Sequence, residues 1–178
     1  MTVTGLLGSA RALAATQQTT ARLLVYAQPP PHGEKAKYLR YIQIVRLEDE
    51  GDDDWTGVGP PVMLPAGVCI VPPDMGPHLL SVGVSWTRNG SPALLSRMAQ
   101  VSAQMVDGRS SGPVFYVEFT PDGRPNSENS STSSPQIVVA PAITGASGLP
   151  AFDNPAATRG VLVRRTGSFA NIGDLSGF

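Results

Sequence analysis

The stretch FYVEFTPDGR at residues 115–124 decides how this chain is read. Val114, Tyr116 and Glu118 alternate with Phe115, Val117 and Phe119, the period of two that belongs to a β-strand, and the second set places two phenylalanines and a valine on one core face. Pro121, Asp122 and Gly123 then stop the strand. Proline presets φ, aspartate bonds nearby backbone donors, and glycine accepts positive φ, so a tight turn is expected. Two further apolar segments downstream, Gln136 to Ala140 and Gly160 to Arg165, read as strands separated by a loop whose Gly145, Gly148, Pro150 and Pro155 exclude long regular structure.

Composition agrees with a β-rich reading. The 178 residues suit one domain of ordinary size. With 41% hydrophobic residues, 15% charged, 17 Pro and 19 Gly, the chain can bury a core but must spend many residues in turns. A net charge of -1 supplies no overall field toward nucleic acid or an anionic surface. The single cysteine, Cys69 in GVCIV, excludes an intrachain disulfide and a multi-cysteine zinc site.

Upstream, LLGSARALAATQQTTARLLVY at residues 6–26 contains no proline and places Leu6, Ala10, Leu13, Gln17, Ala21 and Leu24 at helical spacing, which predicts one amphipathic helix through Tyr26. Pro29, Pro30 and Pro31 end it. YLRYIQIVRL at 38–47 reads as a strand, VMLPAGVCIV at 62–71 as a bend before a short strand over 68–71, and LLSVGVSW at 79–86 as a third. ALLSRMAQVSAQM at 93–105 has the spacing of a short second helix. The predicted fold class is α+β: an N-terminal helix over 1–28, packed on an antiparallel sheet domain over 29–178.

Groups able to do chemistry are scattered. His32 and His78 belong to no metal or nucleophile motif, and glycine-rich phosphate loops do not occur. An acidic run at 48–54 supplies Asp52, Asp53 and Asp54 as calcium candidates, although its spacing does not reproduce a calcium-binding loop. No enzyme activity and no cofactor are expected.

The order of helix, proline elbow, strands, FTPDGR and a closing strand with Arg159, Val161, Val163, Thr166 and Gly167 resembles the globular part of type IV pilin-like proteins, in particular the FimT-like and H-type minor pseudopilins. ARALAATQQTTARLLVY, KYLRYIQIV and LPAGVCIVPP are also similar to the verrucomicrobial prepilin-type cassette proteins of the D group. The resemblance implies a structural subunit of a type II secretion or type IV pilus-like filament in the cell envelope, with other pilin or pseudopilin subunits as partners. It also implies that Val3, Leu7, Ala10 and Ala14 mediate helix packing. The family's processing motif, a glycine followed by Phe-Thr-Leu-Ile-Glu and a long apolar helix, does not occur here. The expectation is therefore an anchoring segment ahead of Met1.

Two other functions follow from different features. Arg124, Arg159, Arg164 and Arg165 form a candidate phosphate-contacting patch for a DNA-binding minor pilin, against which the overall charge and the habit of charged residues on strand edges both argue. An unrelated β-sandwich binding module would carry the same strands without the filament.

Overall fold

The computed structural model describes residues 2–48, 54–74, 79, 95–126 and 134–173. Helix α1 (Val3–Gln17) is followed by strands β1 (Ala21–Tyr26), β2 (Tyr41–Leu47), β3 (Asp54–Met63) and β4 (Val68–Ile70). Then come β5 (Ala99–Val101), β6 (Met105–Val106), β7 (Arg109–Ser110) and β8 (Val114–Phe119). The chain finishes with β9 (Gln136–Pro141), β10 (Ile143–Thr144), β11 (Pro150–Ala151), a 3-10 turn at Pro155–Ala157, β12 (Arg159–Val163) and β13 (Phe169–Ile172). A seven-stranded sheet runs in the order β5-β8-β1-β2-β3-β6-β7, and a four-stranded sheet runs β13-β12-β9-β4. Every pairing in the larger sheet is antiparallel except β3 with β6, so that sheet is mixed.

The expected α+β class is corrected to a mostly β fold, in which a curled seven-stranded mixed sheet dominates and α1 is the one α-helix among the described residues. The main reason lies at residues 18–26. Thr2 caps the start of α1 by accepting from the Gly5 amide, but at the other end Gln18 turns left-handed at φ 52° and closes the helix on the Ala14 carbonyl. The remaining ARLLVY, predicted as helix, is strand β1. It lies between β8 and β2 and is covered on both faces, which erases the alternation of a half-buried strand and leaves a continuous apolar run.

The second predicted helix is also overturned. From Leu95 onward its residues pair instead: Arg97 bridges to Gln136, Ser96 accepts the Val138 amide, and β5 joins β8. The strand expected at 79–86 lies outside the described residues apart from Leu79, which is buried. Sequence reading missed β3 because Gly57, Gly59, Pro60 and Pro61 suggest a loop. The structure accommodates them with a register shift against β2 between Ile42 and Ile44, with Gly59 at φ 70°. Both prolines lie beyond Trp55, where β3 pairs with β2 alone and needs no second row of donors.

Three apolar clusters hold these layers. The central one joins Leu6, Leu7, Ala10 and Ala14 of α1 to Leu23, Val25, Val117 and Phe119 of the larger sheet and to Ile70, Ile137, Val161 and Val163 of the smaller one. A second cluster covers the outer face of the smaller sheet with Tyr38, Leu39, Leu79 and Phe152 over Cys69, Val138 and Ala140. The third lies on the face of the larger sheet turned away from α1, with Leu24, Val45, Trp55, Val114 and Tyr116. No helix among the described residues is long and apolar enough to cross a membrane.

Burial pushes the Cys69 thiol up to about 11, and it also raises the Tyr38 phenol beside it. A raised folded-state pKa means that the native state holds its proton longer than the unfolded chain does. The associated stability is complete below the ordinary thiol range and is lost as pH climbs from about 9 to 11. Native protein is expected to leave Cys69 unmodified by iodoacetamide at pH 8 and to lose roughly 2–3 kcal/mol across that alkaline window. Urea titrations at a series of pH values test both, and rapid native-state alkylation would contradict the burial.

Candidate functional site

Helix α1 presents two different faces. Leu7, Ala10 and Ala14, three of the four residues expected to mediate helix packing, are fully buried against the chain's own sheets, and Val3 is half-buried. The opposite stripe, Gly5, Ser9, Ala12 and Thr16, is exposed. Arg11 is the single charge on the helix, and its Nε donates to the Gly123 carbonyl at 3.1 Å. The helix is thus tied to the turn of the FTPDGR motif, in which Thr120 Oγ1 donates to Asp122 Oδ1 and the Gly123 amide bonds the Thr120 carbonyl. The Thr120 hydroxyl, the largest cause, and the Arg124 amide, which donates to the same Oδ1 at 3.2 Å, hold Asp122 below the usual carboxylate range.

Of the four arginines expected to form a basic patch, three are brought to one edge. Arg164 and Arg165 are exposed in the turn between β12 and β13, which lies directly against the turn carrying Arg124. Arg159 sits at the opposite end of β12, and Arg124 is paired with Asp122 at 3.3 Å. The junction of the two turns depends on Gly167. At φ 79°, a Cβ there would stand 2.4 Å from the Gly123 carbonyl oxygen and 2.7 Å from Arg11 Nε. Gly167→Ala is expected to cost roughly 1–3 kcal/mol through backbone strain and separation of the turns. An unchanged urea midpoint would contradict that contact.

Asp54, the one calcium candidate within the described residues, accepts from the Gly108 amide at 3.4 Å; Asp52 and Asp53 lie outside them. Among the described residues no group of three or more His, Cys, Asp or Glu converges as a metal site.

Sequence reading missed the face of the larger sheet turned away from α1, because its residues come from β1, β2, β3, β8 and the β6–β7 hairpin. At one end Arg22 lies between the rings of Trp55 and Tyr116, 4.0 and 4.2 Å from their centroids. Its Nε donates to Glu118 Oε2 at 2.6 Å, and its Nη1 donates to Gln104. Asn126 donates its side-chain amide to the other Glu118 oxygen. At the other end the same face opens into a polar cleft of about 560 Å³ between the elbow after β1 and the β6–β7 hairpin. No family model, no curated protein and no solved structure matches this chain.

Proposed function

We propose that the chain is the globular part of a pilin-like minor subunit, a non-enzymatic component of a type II secretion or type IV pilus-like filament in the cell envelope. The observation that carries this reading is the outer face of α1. A helix that ends its contacts at solvent ordinarily displays charged side chains there. Here Gly5, Ser9, Ala12 and Thr16 leave an uncharged line of small groups, over which a neighbouring helix can approach closely. The FTPDGR turn, part of the resemblance to minor pseudopilins, is bonded to that same helix through Arg11. Photo-crosslinkers placed at Ser9 and Ala12 in producing cells are expected to trap other pilin-like subunits. Exclusive recovery of uncrosslinked chain, with crosslinkers active in a control filament, would contradict the proposal.

A second reading, a DNA-binding minor pilin, is favoured by the meeting of Arg124, Arg164 and Arg165 at one edge. Phosphate contacts made by these groups would release counterions and weaken steeply with salt. DNA retention that disappears in Arg164→Ala/Arg165→Ala and at raised salt would support it, and no retention at low salt would eliminate it.

A further inference from the structure

The polar cleft is built from side chains that the filament reading does not use. Tyr26 and Tyr41 lie one rung beyond the Val25↔Ile42 pair of β1 and β2, both half-buried, and offer ring surface together with phenolic hydroxyls. Gln28 and Gln43 add two side-chain amides. Each is given room by a glycine: a Cβ on Gly112 would stand 2.5 Å from Gln28 Oε1, and one on Gly57 would stand 2.6 Å from Gln43 Nε2 and 3.0 Å from Asp107 Oδ2. Asp107 is fixed in turn, at φ 51° with its carboxylate accepting the Gly57 amide at 3.1 Å.

Charge in the lining is balanced. Lys37 Nζ is bonded to Glu34 at 2.6 Å and lies 5.3 Å from the centroid of the Tyr41 ring, so the elbow wall is neutral as a unit. On the hairpin wall Asp107 and Arg109 again supply one charge of each sign. A phosphate would find its nearest ammonium already paired, and a divalent cation would find no convergent carboxylates. A strongly apolar ligand would strand the amides and charges without partners. What the lining matches is a neutral molecule dense in hydroxyls. Amide and carboxylate groups suit adjacent hydroxyls as donors and acceptors, while tyrosine faces cover the C–H surfaces between them. The volume of about 560 Å³ lies within the roughly 300–1,000 Å³ typical of small-molecule sites. A space of that size is larger than one sugar ring fills, which favours a short chain over a single compact ligand.

The geometry points to a neutral oligosaccharide as the ligand of this cleft. The assignment stands apart from the filament proposal, since it uses the face of the larger sheet that does not touch α1. The test is a chemical-shift titration of the full chain with maltotriose, cellotriose and tri-N-acetylchitotriose, alongside inorganic phosphate, magnesium and a neutral hexapeptide. At least one trisaccharide is expected to shift the amides of Gln28, Gln43, Ser111 and Gly112 saturably, with a Kd of about 1 mM or tighter. Tyr41→Ala and Arg109→Ala are each expected to weaken binding about tenfold, equivalent to ~1.4 kcal/mol. Arg109 is exposed, so its variant keeps the fold and serves if the tyrosine variant does not. No shift with any sugar at ~10 mM, a stronger response to phosphate, magnesium or peptide, or binding that survives both substitutions would overturn the assignment.

Discussion

Glu118→Ala is expected to lower unfolding free energy by roughly 3–5 kcal/mol, the range for removing one partner of a buried ion pair. Glu118 is 7% exposed and Arg22 15%, so solvent does little to screen what remains. Truncation leaves Arg22 held between Trp55 and Tyr116 with its charge facing Gln104, and it also deprives Asn126 of an acceptor. At roughly 2–4 °C per kcal/mol for a domain of this size, the melting midpoint should fall by about 10 °C. Replacing both partners together, as Arg22→Met/Glu118→Leu, removes the uncompensated charge and is expected to recover most of the loss. Equal destabilisation by the single and double variants would show that the pair is not what holds this face.

Phe119→Ala is expected to cost a further but separate 3–5 kcal/mol, the usual range for emptying a large aromatic site in a core. Phe119 is fully buried, and it stands edge to face with Phe169 of β13 at 6.5 Å between centroids and 82° between planes. It lies at the end of β8, and Phe169 packs against the same cluster as the first turns of α1, so the cavity would open where helix and both sheets meet. Phe119→Leu should retain more than half of the lost stability, because most of the volume stays. Urea unfolding of the two variants checks both expectations. A loss below about 1 kcal/mol for Phe119→Ala would mean that the sheets do not close over this residue.

How much of this was legible in the sequence depends on which face of each strand was covered. Strand β8 was readable because FYVEF alternates and PDG supplies an unambiguous stop. Strands β2, β4, β9 and β12 followed from β-branched runs bounded by turn residues. Strand β1 was not readable: Ala21, Leu23, Leu24 and Val25 are all buried, and an apolar run without alternation, continuous with an alanine-rich helix, carries a helical pattern as well. The left-handed turn at Gln18 has no glycine to announce it. The functional surfaces divide in the same way. The meeting of Arg124 with Arg164 and Arg165 required knowing that two turns, 40 residues apart in sequence, touch through glycines. The cleft draws its lining from three separate segments, residues 26–28, 34–43 and 106–112, and such a juxtaposition leaves no local spacing to find.

The proposed filament role is tested most directly by sedimentation of the native assembly. Surface filaments and envelope complexes sheared from producing cells, then pelleted and probed for this chain, are expected to contain it together with other pilin-like subunits. Recovery of the chain wholly in the supernatant as a monomer, from cells whose filaments pellet normally, would contradict the account.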